Sequence, residues 1–366
     1  MTKIRHVLGI SGGKDSTALA IYLKRLYPEL DMEYYFCDTG KELDETYDLM
    51  KNLEVFLGKK IKVLKEVNND TPPFDHFLKL NGGYLPSASA RWCTTKMKLV
   101  PFENFIGNDL AVSYVGIRGD EDREGYVSTK TNIQTIFPFR QNMWSKEMIN
   151  SLLQNKNILF LQNAYQTVLT GQKLVQAIGI VETPLSVRFG QASKLNALLS
   201  IDIQAFNKVM FTYLQTIDSV IGKLDAFPLV TNEDNLNKND IFDVLQKSGV
   251  GLPKYYTELE YEIEGQTGIY NRSRSGCFFC FFQQKIEWVW LYEQHNDKFW
   301  ESVAYEKQGY TWIQGESLED LIQPERMAQI KREHLKRTEL KAKNKKSNLL
   351  MDIMEDENEA CLACFV

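Results

Sequence analysis

The stretch of sequence that decides the fold is Ser11-Gly12-Gly13-Lys14-Asp15-Ser16. It follows the apolar run 7–10, which predicts a buried strand, and precedes residues 17–26, whose apolar spacing predicts an amphipathic helix. Two adjacent glycines between a strand and a helix let the backbone turn tightly, so that its N–H groups can face an anion. The positive end of the helix dipole and the charge of Lys14 add to this attraction. We therefore predict that the turn binds a phosphate chain.

The spacing of this loop separates it from another class of phosphate-binding loop. A Walker A loop places four residues between its first glycine and its Gly-Lys pair, whereas here Gly12 is followed at once by Gly13 and Lys14. A GTPase or ATPase of that class is therefore disfavoured.

Composition limits the remaining possibilities. The chain has 366 residues, 43% of them hydrophobic, which is enough for a sizeable core in one large or two modest domains. Its start is too polar for a signal sequence, and no window approaches the roughly 18 apolar residues that span a bilayer, so we expect a cytoplasmic protein with no membrane partner. A net charge of −5 argues against a nucleic-acid-binding surface over the whole chain.

A second strand and helix follow the loop. Residues 32–37 predict a strand that ends in Asp38-Thr39-Gly40, and a helix over 43–57 and a strand over 61–67 come next. This βαβαβ order predicts an α/β fold with a doubly wound parallel sheet. Because such sheets bind nucleotides at the carboxyl ends of their strands, we expect Asp38-Thr39-Gly40 to lie beside the first loop and to face an adenosine.

Positive charge surrounds one thiol, Cys93. The cations near it in the sequence are Arg91, Lys96 and Lys98. They would favour the thiolate form of Cys93 or neutralise the phosphates of a nucleotide, although a solvated helix start with one buried cysteine would look the same. A strand over 111–117 follows and ends in a charged loop that begins at Arg118, which again points to the ligand crevice.

A second concentration of reactive groups is the Cys-x-x-Cys pair Cys277 and Cys280, which Arg272 and Arg274 precede. Two thiolates at this spacing can ligate one metal or cluster, and the arginines would offset their charge. In a chain without a secretion signal, such a pair favours metal or redox chemistry over structural disulfides.

Taken together and in this order, the motifs resemble the phosphoadenosine phosphosulfate (PAPS) reductase family, and the first loop resembles the pyrophosphate loop (PP-loop) of ATP pyrophosphatases. The motifs are Ser11 to Ser16, Asp38-Thr39-Gly40, Arg91-Trp92-Cys93 with Lys96 and Pro101, Gly116-Ile117-Arg118 with Asp120, and Gly276-Cys277-Phe278-Phe279-Cys280. The resemblance covers residues 1–140 and 236–315. Within the family, the chain is most similar to the DndC-like and SspD-like ATP pyrophosphatases of DNA phosphorothioation systems.

The resemblance implies the adenine nucleotide α-hydrolase fold and a reaction. ATP, with Mg²⁺, would be cleaved between its α- and β-phosphates to adenylate an acceptor, and sulfur would then displace AMP. The implied binding residues are Ser11, Gly12, Gly13, Lys14, Asp15, Ser16, Asp38, Thr39, Gly40, Arg91 and Lys96. The implied catalytic residues are Lys14 and Asp15 at the leaving pyrophosphate and its magnesium, Arg118 for charge stabilisation, and Cys93.

The resemblance also implies partners and a metal centre. The acceptor would be a DNA backbone phosphate, the sulfur donor a cysteine desulfurase, and other subunits of a DNA-modification complex would bind the chain. In the family, the Cys-x-x-Cys pair joins cysteines of the Arg-Trp-Cys block around a four-iron four-sulfur cluster. Here Cys93, Cys277 and Cys280 give only three ligands, and a cluster or a zinc site needs four. The fourth is Cys37, a tail cysteine, a water or nothing; alternatively, no metal binds and the thiols carry sulfur.

An interruption of the family pattern suggests the domain organisation. We predict a nucleotide-binding part over 1–143, a helical insertion over 144–235, a Cys-x-x-Cys part over 236–320 that completes the core, and a charged tail over 321–366. In the insertion the sequence predicts helices over 146–153, 164–178 and 195–224, with apolar residues spaced for packing. The insertion would cap the nucleotide cleft or dock a partner.

The predicted tail has two distinctive features. The basic run over 326–346 is typical of a solvated helix face, yet it is the best candidate in the chain for contacting nucleic acid phosphates. The terminal Cys361 and Cys364 lie where a flexible tail could carry sulfur between a donor and an acceptor.

Two other functions are compatible with the motifs. A PAPS reductase would attack a bound phosphosulfate with a tail thiol and would not hydrolyse ATP, but its glutamate-cysteine-glycine tail signature is absent from this sequence. A non-catalytic ATP-binding subunit of a larger complex would bind ATP without turnover. Release of pyrophosphate separates the adenylating enzyme from both.

Overall fold

A computed structural model describes residues 3–66, 71–121, 123, 128–307 and 309–344. Cys361, Cys364 and the end of the basic run lie outside the described residues. None of the helices in the described ranges is both long enough and apolar enough to cross a bilayer.

The central element is a five-stranded sheet. Its strands are β1 (Arg5–Gly9), β2 (Met32–Cys37), β3 (Ile61–Leu64), β4 (Ala111–Tyr114) and β5 (Ile133–Ile136). They pair in parallel in the order β3-β2-β1-β4-β5. The strand order therefore reverses at β1, and the point of reversal is where open α/β sheets bind their ligands. The predicted α/β class and the doubly wound parallel sheet are confirmed.

Helices surround this sheet and form most of the remaining structure. They are α1 (Lys14–Leu26), α2 (Asp44–Leu57), α3 (Pro73–Leu80), α4 (Trp92–Thr94), α5 (Val100–Ile106), α6 (Lys146–Leu152), α7 (Ile158–Val168), α8 (Gly171–Glu182), α9 (Gln191–Ile201), α10 (Ile203–Thr216), α11 (Lys238–Ser248), α12 (Lys285–Gln294), α13 (Asn296–Val303), α14 (Leu318–Leu321) and α15 (Pro324–Asn344). A π-helical turn, Thr95–Leu99, joins α4 to α5.

Alternate side chains of each strand enter different apolar layers. On β2, Tyr34 and Phe36 join the layer beneath α1 and α2, whereas Tyr35 and Cys37 join the layer beneath α5. Both faces of the sheet are therefore buried, which explains the consecutive apolar residues 7–10 and 34–37 in the sequence.

The helices of residues 144–235, the predicted insertion, pack onto the first of these layers. Their apolar side chains and those of α1 form one continuous cluster, and α11 returns to lie along α1. The predicted helix over 164–178 is two helices, α7 and α8, which separate at Leu169. The predicted helix over 195–224 divides at Asp202. The carboxylate of Asp202 caps α10 by accepting from the Ala205 N–H at 2.9 Å. The Tyr22 hydroxyl donates to Asp234 at 2.6 Å and so ties α1 to the chain that leaves the insertion.

The part of the chain that contains the Cys-x-x-Cys pair has a core of its own. An antiparallel hairpin, β6 (Leu259–Ile263) and β7 (Gln266–Tyr270), packs with α12, α13, α14 and α15. Phe74 of α3 and Met97 join the same cluster, so this core reaches back to the first part of the chain. Ile330 of α15 is buried here, and Arg326 and Lys331 of the same helix form ion pairs with carboxylates.

Candidate active site

The predicted phosphate-binding loop lies between β1 and α1, at the point where the strand order reverses. Gly12 has a left-handed backbone with φ of +73°, and a Cβ there would lie 2.3 Å from Thr46 Cγ2. A Cβ on Gly13 would lie 2.6 Å from Ser275 Oγ. Glycine is therefore needed at both positions because neighbouring side chains approach the backbone closely, and at Gly12 also because of its conformation.

The start of α1 is arranged to receive an anion. Gly13 is the N-cap residue and has no side chain, so the N-cap itself accepts from none of the first N–H groups of the helix. The Lys14 N–H donates a long bond of 3.4 Å to the Tyr256 hydroxyl, and the hydroxyls of Ser11 and Ser16 lie 3.1 Å apart across the loop. The loop thus offers the donors and the dipole end that a phosphate chain requires, and the phosphates of ATP fit this donor set.

Three of the predicted catalytic residues form a buried ionic network beside this loop. Lys14 Nζ is 3.3 Å from Asp15 Oδ2, and Arg118 Nη1 is 2.8 Å from Asp15 Oδ1. Arg118 also pairs with Asp120 at 2.9 Å and with Glu121 at 3.4 Å. Burial disfavours the charge of Arg118, but the carboxylates of Asp15 and Glu121 outweigh that cost and raise the pKa of Arg118 above its usual value. Arg118 therefore holds Asp15 in place.

The second predicted motif follows β2. The carboxylate of Asp38 accepts from the Gly40 N–H at 2.8 Å and from the Tyr47 hydroxyl at 2.9 Å, and it pairs with Lys65 at 2.7 Å. Burial alone would raise the pKa of Asp38, but these donors hold it below its usual value. Asp38 thus has partners within the protein, and the contact between this motif and an adenosine stays a prediction.

Thr39 connects this motif to the Cys-x-x-Cys pair. Its hydroxyl donates to Glu42 Oε1 at 2.6 Å and lies 3.2 Å from Cys277 Sγ. Burial and the neighbouring Asp38 raise the pKa of Glu42 to about 7. Burial, with the Glu42 carboxyl close by, also raises the pKa of the Cys277 thiol well above its usual value. Sequence reasoning missed Glu42, because nothing local indicates that the β2–α2 turn meets residue 277.

The three predicted metal ligands line one cavity. Cys93, Cys277 and Cys280 surround a volume of about 40 Å³. In the described part of the chain, however, no group of three or more Cys, His, Asp or Glu residues is arranged to hold a metal ion. Cys37 does not line this cavity; its thiol donates to the Lys98 carbonyl at 3.6 Å, and its side chain belongs to the apolar layer beneath α5.

The cations expected around Cys93 occupy different environments. Lys98 lines the cysteine cavity, whereas Lys96 is exposed on the π-helical turn. The guanidinium of Arg91 lies 5.4 Å from the centre of the Phe282 ring. The structure therefore brings Lys98, rather than Lys96, close to the thiols, and the roles predicted for Arg91 and Lys96 in nucleotide binding stay predictions.

Arg272 supports the turn that carries Cys277. Its side chain is buried, and Nη2 donates to the Cys277 carbonyl and to Gln283 Oε1, both at 3.0 Å. Its Nε and Nη1 have no hydrogen-bond partner within the described residues. The sequence suggested that this arginine offsets thiolate charge, and the structure adds a contact with the backbone of the cysteine turn.

Comparison with known proteins extends the resemblance. Residues 5–168 match the family described as the phosphoadenosine phosphosulfate reductase domain. An uncharacterized protein of Methanocaldococcus jannaschii, MJ0066, is 34% identical over 150 residues, which are 40% of this chain and 28% of that protein. A second uncharacterized protein of the same organism, MJ0973, is 27% identical over 158 residues, which are 40% of this chain and 36% of that protein.

The matched segment spans 28% and 36% of the lengths of these two curated relatives. No solved structure matches the chain. The matched segment contains the sheet, the glycine loop and Arg118, which contacts the loop from the segment after β4. Residues 5–168 are therefore similar to the phosphoadenosine phosphosulfate reductase domain, and the strand order with the loop at the reversal point agrees with this similarity.

Proposed function

We propose that this protein is an ATP pyrophosphatase that adenylates an acceptor and thereby prepares it for sulfur transfer. The observation that carries the proposal is the glycine loop with the uncapped start of α1, at the reversal point of a parallel sheet. An enzyme that cleaves ATP between its α- and β-phosphates must bind a pyrophosphate leaving group, and this loop supplies the donors for one.

The loop N–H groups, Lys14, Asp15 and Arg118 have separate roles in this reaction. The N–H groups of the loop and Lys14 bind the β- and γ-phosphates and stabilise the charge that develops on the leaving pyrophosphate. Asp15 is the candidate ligand of Mg²⁺, a cation that prefers oxygen donors and would neutralise further phosphate charge when bound. Arg118, at 2.8 Å from Asp15, keeps this carboxylate oriented. An oxygen of the acceptor forms a bond to the α-phosphorus while the bond to pyrophosphate breaks.

Sulfur transfer follows adenylation in this proposal. A sulfur nucleophile forms a bond to the activated atom of the acceptor, and AMP leaves with the bridging oxygen. Cys93, Cys277 and Cys280 line one cavity, which supports a joint role for them as sulfur carriers or as ligands of an iron–sulfur cluster or zinc. A cysteine desulfurase would supply the sulfur. The similarity of the motifs to DndC-like and SspD-like proteins supports a DNA backbone phosphate as the acceptor and a DNA-modification complex as the partner.

A PAPS reductase is the second candidate, because the matched family is described by that reaction. Such an enzyme would bind a phosphosulfate in the same cleft and would release no pyrophosphate from ATP.

The proposal is tested by replacing Lys14 or Asp15 with alanine and measuring AMP formation from ATP. We expect a loss of at least about 100-fold in each variant, as for removal of a group that stabilises a leaving charge. The matched control is Lys24→Ala, an exposed lysine in the last turn of the same helix, which should leave turnover unchanged. Unaltered AMP formation in Lys14→Ala or Asp15→Ala would exclude the proposed role of the loop.

A further inference from the structure

A large cleft lies apart from the phosphate loop. It has a volume of about 520 Å³ and is bounded by the start of α12, by residues 312–314 and by one face of α15. None of the residues that line it belongs to Ser11–Ser16 or to the parallel sheet. Its size is that of a small-molecule site, and ATP bound to the loop would not fill it.

The cleft adjoins the cysteine cavity. Phe281 and Trp312 line both volumes, so these two side chains form the wall between them. Ser275 also lines the cysteine cavity, and its hydroxyl approaches Gly13 of the phosphate loop. The phosphate loop, the cysteine cavity and the cleft therefore follow one another in space.

The polar lining of the cleft is rich in amides. Gln283, Gln284 and Gln314 line the cleft, and the Oε1 atom of Gln284 accepts from Arg337 and from the N–H of Glu287 in the first turn of α12. Gln283 is only 8% exposed; its Oε1 accepts from Arg272, and its Nε2 has no hydrogen-bond partner within the described residues. Paired donors and acceptors on amide side chains are the groups that read the hydrogen-bonding edge of a nucleobase.

Among the described charged residues that line the cleft, Arg337 is the cation best placed to bind an anion. Lys285 pairs with Glu316 at 2.6 Å, and the carboxylate of Glu333 accepts from Gln329 at 2.7 Å. Arg337 donates to Gln284 but forms no ion pair with a carboxylate among the described residues. A guanidinium of this kind is suited to a phosphate, which it can bind with two parallel hydrogen bonds.

We propose that this cleft binds a nucleotide unit of the acceptor, with the base at the amides and the phosphate at Arg337. The inference rests on the proposed function, because an adenylating enzyme needs a site for a second substrate beside ATP. The nucleotide is either a free mononucleotide or one residue of a nucleic acid, since the two share a base and a phosphate.

The test measures binding of a fluorescein-labelled single-stranded DNA octanucleotide to the full-length protein by fluorescence anisotropy, with ATP sites saturated by α,β-methylene-ATP. Arg337→Ala should weaken binding about tenfold and should lower the slope of log affinity against log salt by about one. Gln314→Ala should weaken binding of the octanucleotide but not of an abasic one. The matched control is Lys208→Ala, which removes an exposed charge of α10 outside both the cleft and the basic run and should change binding little.

The outcomes separate this inference from the proposed function. Competition by an unlabelled mononucleotide at equal affinity would assign the cleft to a free nucleotide, and its failure to compete would assign it to nucleic acid. Absence of binding by both probes, or equal losses in Lys208→Ala and Arg337→Ala, would overturn the inference. Affinity for α,β-methylene-ATP should be unchanged in every cleft variant. A failure of the phosphate-loop proposal would instead appear as unchanged turnover in Lys14→Ala.

Discussion

Substitution of Gly12 by alanine tests whether the loop geometry is as tightly constrained as the structure indicates. Gly12 has φ of +73°, and an alanine in a left-handed backbone costs about 1–2 kcal/mol. The new Cβ would also lie 2.3 Å from Thr46 Cγ2, a separation that forces a shift costing about 1–3 kcal/mol more. We therefore expect Gly12→Ala to lower the free energy of unfolding by about 2–5 kcal/mol and to weaken ATP binding, because the shift displaces the N–H groups that face the phosphates.

Gly58 provides the matched control. It ends α2 with φ of +63°, and a Cβ there would meet no atom within 4 Å. Gly58→Ala should thus lose only the conformational 1–2 kcal/mol or so, with ATP affinity unchanged. Urea unfolding followed by circular dichroism gives the free energies, and isothermal titration calorimetry gives the affinities. Equal losses of stability in the two variants, with unchanged ATP affinity in Gly12→Ala, would refute the reasoning.

Three further predictions concern the cysteines, a buried carboxyl and the insertion. Anaerobically purified protein should carry substoichiometric iron and sulfide, or zinc. Cys277→Ser or Cys280→Ser should abolish the bound metal, whereas Cys37→Ser should leave it in place. Metal retained in Cys277→Ser would contradict this prediction. The pKa of Glu42 is about 7 in the folded state and 4.5 ordinarily, so the folded state binds more protons than the unfolded state between these pH values. The contribution of Glu42 to the free energy of unfolding should therefore fall as the pH rises from about 4.5 to 7. Glu42→Gln should show a smaller fall in urea titrations, and an equal one would disprove the assignment. Replacement of residues 144–235 by a linker should destabilise the chain, because these helices share an apolar cluster with α1; an unchanged melting temperature would show that they are separable.

The parts of the fold that could be predicted are those with a local signal. β2 has the predicted limits, Met32–Cys37, because residues 34–37 of this strand, which is buried on both faces, are consecutive apolar residues. β5, Ile133–Ile136, was missed because Gln134 and Thr135 interrupt its apolar residues at the edge of the sheet. The hairpin β6–β7 was also missed. In the structure, its turn residues Glu264 and Gly265 both have positive φ.

The candidate site divides in the same way. The loop could be predicted because its glycines, its lysine and its helix start are contiguous in the sequence. Helix α1 begins at Lys14 rather than at residue 17, since residues of the phosphate loop also form its first turn. The contact between Thr39 and Cys277 joins residues 238 positions apart, and no local pattern encodes such a pair. Packing of the second core brings them together.

The identity of the products of ATP tests the central claim most directly. The wild-type protein is incubated with magnesium and with ATP labelled at the α-phosphorus. Single-stranded and double-stranded DNA serve as acceptors, and a cysteine desulfurase with cysteine serves as the sulfur source. The nucleotides and pyrophosphate are then separated by anion exchange. The account predicts AMP and pyrophosphate in equal amounts, because the loop binds the β- and γ-phosphates as one leaving group. ADP and phosphate as the products, or bound ATP that is never cleaved, would contradict it.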